Sequence, residues 1–383
     1  MNAALAPTLP ETPPARLFEA TGTLTERLDA LHDSILDRIP HVDRIACALY
    51  DAPEDMLKTF VNSTRKGEAI AGYQFRLADS PSLSKLAATG ECRAIDQLAT
   101  AVRPDSPHSA WLLAQGYQSS FTVPLYDNDS LLGFVFFDSM LPAAFSLREQ
   151  RDLMLFCNLI NMAISNEMSA VRAILASARI ARDFAKLRDF ETGAHLERMA
   201  RYARLIARDL AARLGRTDEF VEHVYLFAPL HDIGKIGIPD AVLLKQGRLE
   251  ATERAAMQRH VDLGGSIIDK ILGDLGLRHL PDSTIMKNIV RHHHEMLDGS
   301  GYPEGLRGDA IALEARIVTV ADIFDALLSA RPYKAAWTFE ASCDELERLV
   351  ARGKLDAECV AALRRNETQA RAIRDRYQDP QES

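Results

Sequence analysis

The chain has 383 residues, 47% of them hydrophobic, enough for two domains that each bury a core. Its formal net charge of −9 argues against the basic face that polymeric nucleic acid requires, but leaves room for a local cation pair around a small phosphate ligand. Five scattered cysteines (Cys47, Cys92, Cys157, Cys343, Cys359) form no CxxC pair, so neither a disulfide framework nor a thiolate zinc site is expected, and a reducing cytoplasm fits.

Residues 1–18 are proline-rich, lack the early positive charge of a secretory signal and read as a flexible tail. No apolar run approaches the roughly 18 residues that cross a bilayer, so a soluble, cytoplasmic protein without a membrane partner is expected. Leu24, Leu28, Leu31, Ile35 and Ile39 recur at helical spacing and stop at Pro40, which predicts a first helix. Between Asp43 and Asp138 the texture changes to short strand-like pieces. SFTVPLY and LLGFVFF are joined across Asp127-Asn128-Asp129-Ser130, a hairpin signal. A helix followed by such strands predicts an α+β domain with an antiparallel sheet over 19–165.

The stretch 148–190 is almost free of Gly and Pro and predicts a long linker helix. Leu155, Leu159, Met162, Met168, Val171, Leu175, Ala178 and Ala181 suit a parallel two-stranded coiled coil, hence a homodimer, or equally a helix packed on its own chain. Residues 180–375 read as an all-α domain with loops at 234–247, 273–281 and 298–309, before a short tail at 376–383.

Eight of the eleven histidines lie after residue 194. Glu191 and His195, at i, i+4, share one helix face. A buried helix running through VYLFAPL is expected to deliver His231, Asp232 and Lys235 to one place, a costly grouping unless a cation compensates the carboxylate and the imidazole gives a lone pair. His260 follows in MQRHVDLGG, then the run His292-His293-His294-Glu295 with Asp298-Gly-Ser-Gly-Tyr302-Pro303, then Asp322 in the apolar IVTVADIFDAL. Mixed imidazole and carboxylate donors suit iron, manganese, zinc, cobalt or nickel. A carboxylate such as Asp232 has two oxygens with which to bridge two ions. His223 and His279 are expected to have no function, and His32, His41 and His108 to be ordinary core or surface histidines rather than ligands.

Two resemblances follow from these residues. The order of elements and the segment SSFTVPLYDNDSLLGFVFFDS resemble a GAF domain, a sensory module. His231-Asp232 with Gly234-Lys235, the HHE of 293–295, Gly301-Tyr302-Pro303 and the flanking GIPDAVLLKQGRL, DGSGYPEGLRG and ARIVTVADIFDALLSARPYK resemble the HD-GYP subgroup of the HD metal-dependent phosphohydrolases.

The second resemblance implies metal ligands at Glu191, His195, His231, Asp232, His260, His293, His294 and Asp322. It implies a catalytic Lys235 near the scissile phosphate, with Asp232 or Asp322 orienting the nucleophile, and substrate contacts from Lys235, Tyr302, Arg331 and Lys334. Two or three divalent ions, iron or manganese, are implied, with Glu191 marking the third. The expected activity is a cyclic di-GMP phosphodiesterase that opens its substrate to pGpG, and further to GMP, with a metal-activated hydroxide. A GGDEF-domain protein at the GYP loop is an implied partner. Leu297 and Val261 depart from the aromatic and the proline usual there, which bears on ligand packing. A metal-loaded receptor with little turnover, and a phosphohydrolase for another cyclic dinucleotide, remain as alternatives. A sensory domain feeding a helix that reaches Glu191 and His195 further suggests that the first domain regulates the second.

Overall fold

The computed structural model describes residues 22–102, 107–185, 193–277, 280, 282–329 and 336–378. The chain divides into two compact units, one up to Asn166 and one from Glu167.

The first unit opens with helix α1 (Leu24–Leu36), whose start is fixed by a capping box in which Thr23 accepts from the Glu26 N–H and Glu26 accepts from the Thr23 N–H. Six strands follow: β1 (Arg44–Asp51), β2 (Met56–Thr64), β3 (Gln74–Arg76), β4 (Arg93–Ile95), β5 (Ser119–Asp127) and β6 (Ser130–Ser139). They form one antiparallel sheet in the order β3-β2-β1-β6-β5-β4, as expected for an α+β domain. The β5–β6 hairpin closes at Asp127↔Ser130, and Asn128 takes the positive φ of 53° that so tight a turn demands. Phe134, Val135, Phe136 and Phe137 are buried in succession, so this central strand is covered on both faces. Arg44 and Asp138 are paired in the register of β1 and β6 and joined by a buried ion pair of 2.5 Å.

His32 bonds Ser63 Oγ and the Val42 carbonyl at 2.8 Å each, and His41 bonds the Ala144 carbonyl at 2.7 Å, which makes both satisfied structural histidines. His108 stacks between Tyr73 and Trp111.

A helix of 39 residues, α2 (Leu147–Ala185), crosses the division at 166/167. Of the residues proposed for an intermolecular seam, Val171 and Ala178 instead lie in the chain's own core, whereas Leu155 and Met162 are exposed. Among the described residues no helix is long and apolar enough to cross a membrane.

The second unit is mostly helical among the described residues. Its centre is α3 (Gly193–Leu214), rich in the strong helix formers Ala, Leu and Arg and ended by the left-handed Gly215 (φ 61°). Around it lie α4 (Asp218–Phe227), α5 (His260–Asp274), α6 (Ser283–His292), α7 (Leu313–Leu328), α8 (Phe339–Ala351), α9 (Ala357–Arg365) and α10 (Glu367–Arg376), with four short helical segments, two of them 3₁₀, between α4 and α5. Tyr202 of α3 meets Phe324 of α7 edge to face with ring centroids 5.0 Å apart, and Phe324 meets Phe339 of α8 at 5.3 Å. The aromatic column thus pins α7 to the central helix.

One expectation about backbone needs correcting. The helix through VYLFAPL does not reach His231: α4 stops at Phe227, and Ala228–Leu230 forms a single 3₁₀ turn with Pro229 at its start. Pro229 has no N–H to give a continuing α-helix. His231 follows that turn, and a second 3₁₀ stretch covers Ile233–Gly237.

Candidate metal centre

The residues singled out from the sequence come together in the second unit as two adjoining sets of donors. Asp232, His260, His293 and His294 form one, and His195, His231 and Asp322 the other; within each set the donor atoms all lie within 4.8 Å of one another. Asp232 joins the two. Its Oδ1 lies 3.0 Å from His260 Nε2 and 3.7 Å from His293 Nε2, while its Oδ2 lies 3.1 Å from His231 Nε2. Asp322 Oδ1 is 4.0 Å from His195 Nε2 and 3.9 Å from His231 Nε2.

The outer nitrogens explain why the inner ones are oriented as they are. Nδ1 of His231, His260 and His293 bonds the carbonyls of Ala228, Met257 and Ile289 at 2.9, 2.9 and 3.0 Å. A carbonyl can only accept, so each Nδ1 carries the proton and each Nε2 turns a lone pair inward. His260 Nε2, His293 Nε2 and Asp232 Oδ1 are enclosed without a hydrogen bond of their own. Buried lone pairs left in this way are costly without a cation to satisfy them, and outward donation to carbonyls is how metal-bound imidazoles are held. The donor set therefore fits divalent ions.

His195 is held differently. Its Nδ1 bonds Asp325 Oδ2 at 2.7 Å, and Asp325, itself fully buried, accepts from Arg198 Nε at 2.6 Å and Arg198 Nη2 at 2.9 Å. The sequence reading missed this Asp325–Arg198 pair. Its signal was a second acid three residues after Asp322 on an otherwise apolar helix, which places both carboxylates on one face. Thr319 Oγ1 donates to the His293 carbonyl at 2.7 Å and so ties α7 to the histidine run.

Two glycines set the spacing. A Cβ at Gly234 would lie 1.8 Å from the His260 carbonyl oxygen and 2.4 Å from the Gly264 nitrogen, so only glycine lets the Asp232 turn reach α5. At Gly301 a Cβ would lie 2.4–2.5 Å from backbone atoms of His294, Glu295 and Met296. The glycine of this loop is therefore there for close packing against the histidine run. The Tyr302–Pro303 bond is cis, the Tyr302 N–H donates to the His294 carbonyl, and the Tyr302 ring sits 4.7 Å from that of His294. Glu295, which follows the histidine run, is buried and accepts three backbone N–H groups, from Glu304, Gly305 and Leu306.

Charge in the site follows its packing. Lys235 Nζ is 2.7 Å from Asp232 Oδ2. Burial alone would raise the Asp232 pKa, but the Lys235 ammonium outweighs it and holds the carboxyl well below its usual range. Burial lowers His293 and takes His294 down to about 2, which keeps both imidazoles neutral. Burial also pushes the Tyr302 hydroxyl well up, so it stays protonated. Glu191, Arg331 and Lys334, together with His279, fall outside the described residues.

The HD domain family model matches residues 183–359, and the GAF domain model matches residues 24–164. The chain thus carries a GAF domain followed by an HD domain, whose clustered histidines and acids suit divalent metals. It is 47% identical over 197 residues to the cyclic di-GMP phosphodiesterase response regulator RpfG of Xanthomonas campestris pv. campestris, covering 51% of this chain and 48% of that one. It is 39% identical over 198 residues to a cyclic di-GMP phosphodiesterase of Vibrio cholerae, covering 50% and 38%. It is also 42% identical over 159 residues to a 3'3'-cGAMP-specific phosphodiesterase of the same organism, covering 42% and 28%. The chain spans about half or less of the length of these curated relatives.

Proposed function

We propose that this protein is a metal-dependent cyclic di-GMP phosphodiesterase that opens its substrate to pGpG. The observation that carries the reading is Asp232, whose two oxygens face separate groups of buried imidazoles, the arrangement a carboxylate needs to bridge neighbouring ions. The relatives named as cyclic di-GMP phosphodiesterases support the choice of substrate.

His260, His293 and His294 with Asp232 would hold one ion, and His195 and His231 with Asp322 another; Glu191 would be the acid for a third. Iron and manganese suit these donors. Divalent ions there supply Lewis acidity, lowering the pKa of a coordinated water and drawing charge from the phosphodiester oxygens. The chain's residues do the rest. Asp322, one of whose oxygens faces both His195 and His231, orients the attacking water. Lys235, anchored on Asp232, places positive charge where the phosphorane-like transition state gathers negative charge. Water adds to phosphorus as the 3'-oxygen leaves, and the ring opens to a linear dinucleotide. Tyr302, protonated and stacked near His294, forms a wall for a guanine or ribose, and Arg331 and Lys334 bind phosphate or base.

Residues 19–165 serve as the sensory domain, 148–190 as the connecting helix and 180–375 as the catalytic domain, in a cytoplasmic protein. Leu155 and Met162, exposed seven residues apart on α2, provide a seam for a homodimer, and the GYP loop is the surface for a GGDEF-domain partner.

The test is turnover. Protein purified anaerobically and loaded with Fe(II) or Mn(II) is incubated with cyclic di-GMP and, separately, with 3'3'-cGAMP, and the products are separated by chromatography. Linear pGpG is expected. Binding of cyclic di-GMP without any product identifies a receptor instead, and faster cleavage of 3'3'-cGAMP moves the substrate to the other cyclic dinucleotide.

A further inference from the structure

Outside the centre just described, the second unit gathers a further group of donors that the proposed chemistry does not use. Glu219 and His223 stand at i, i+4 on one face of α4, Glu167 comes from α2, and Asp282 precedes α6. Ligand atoms from all four lie within 4.8 Å of one another. His223 has no exposed surface, Glu219 is 2% exposed and Glu167 5%.

The His223 ring sits between two acids, its Nε2 3.3 Å from Glu167 Oε1 and its Nδ1 3.2 Å from Asp282 Oδ2. Neither contact is in hydrogen-bonding alignment, and neither nitrogen has another hydrogen-bond partner. This differs from His231, His260 and His293, where one nitrogen is committed to a carbonyl. One ring face is closed by Phe227, stacked at 5.4 Å and 7° from parallel, so the polar edges are left facing the acids.

We propose that His223, Glu219, Glu167 and Asp282 form a second divalent-cation site, separate from the centre around Asp232, that takes a borderline or hard ion such as Mn²⁺ or Zn²⁺. Two buried carboxylates and a partly exposed one, gathered around a single imidazole, favour positive charge among them. In the metal-free protein a proton on His223 serves: burial opposes it, but Asp282 and Glu167 push its pKa up to about 10. An ion replaces that proton, takes one ring nitrogen and draws the carboxylates to it, a mixed nitrogen and oxygen shell of the kind manganese and zinc accept.

The placement gives the ion a consequence. α4 leads through the Pro229 turn to His231, and α6 ends at His292, next to His293. One ion would therefore fix α2 against both elements that deliver imidazoles to the first centre.

Metal-stripped full-length protein is titrated with Mn²⁺ alone, with free ion counted by electron paramagnetic resonance. His223→Gln is expected to bind one ion fewer per chain than the parent. The double variant His231→Ala/His293→Ala, which takes an imidazole from each donor set of the first centre, is expected to keep an ion with nitrogen coupling from a single histidine, and to lose it when His223→Gln is added. An unchanged count in His223→Gln overturns the proposal. Where circular dichroism shows that His223→Gln has not folded, Asp282→Asn, whose side chain is partly solvent-facing, takes its place, and an unchanged count there overturns the proposal equally.

Discussion

Gly234→Ala adds one methyl group at the point where the Asp232 turn touches α5. The new carbon would lie 1.8 Å from the His260 carbonyl oxygen, whereas ordinary contact begins at 3.4 Å, so the two backbones must part by about 1.6 Å. Backbone atoms on both sides leave no flexible side chain to yield. Opening along that line takes Asp232 Oδ1 and His260 Nε2 from 3.0 Å to about 4.6 Å. Two donors across one ion can be at most about 4.2 Å apart, twice a metal–ligand distance of about 2.1 Å. The shared ion is then lost or badly held. A misplacement of about 1 Å at a reacting centre costs on the order of 10²-fold in rate, and overpacking costs about 1–3 kcal/mol of stability. At about 2–4 °C per kcal/mol, the melting temperature falls by several degrees. Bound metal, turnover and thermal melts are measured together, with Gly193→Ala as control, since nothing lies within 4 Å of a Cβ there. A Gly234→Ala protein with the parental ion content and turnover within about twofold would refute this account of the spacing.

Asp325→Asn keeps the shape but removes the charge that receives Arg198 and orients His195; metal affinity or turnover is expected to fall about 10–100-fold, read by competition with a chelator. Glu295→Gln loses the anion that accepts three loop N–H groups, at a cost of about 1–3 kcal/mol, with KM for the cyclic dinucleotide rising more than kcat falls. Asp209 is held below the usual carboxylate pKa: burial opposes this, but hydrogen bonds from Arg365 and Asn366 prevail. A depressed acid stabilises the fold above its unfolded pKa and ceases to as pH drops through the folded value. Asp209→Asn should therefore be less stable than the parent at pH 6, with the gap narrowing below about pH 4; an equal gap at pH 6 and pH 3 would contradict the assignment.

The donor set of the second unit was legible because its chemistry is written in local spacing. HD with GK, the histidine run and Asp322 in an apolar helix each point to a cation before any fold is known. The antiparallel sheet was legible for a similar reason, since two apolar strand-like runs flank an obvious turn at Asn128. What stayed hidden depends on distant neighbours. Asp325 acquires its role only once α7 is packed on α3, because Arg198 lies 127 positions away in the chain. His223 has Glu219 one helical turn before it, but Glu167 and Asp282, which complete its group, each lie more than fifty residues off. The VYLFAPL run has the apolar periodicity of one helix, but Pro229 lacks the N–H that a continuing helix needs. On α2, a seven-residue pattern could not say which chain would cover it, and the core took Val171 and Ala178.

Glu295 lies next to His294 in the chain and grips the amides of residues 304–306, so the His294 imidazole and the loop that follows Tyr302 are tied through one carboxylate. A protein that took hold of Gly301–Pro303 from outside would tug on the metal shell in the same motion, and a change of ion within would be felt at that outer rim.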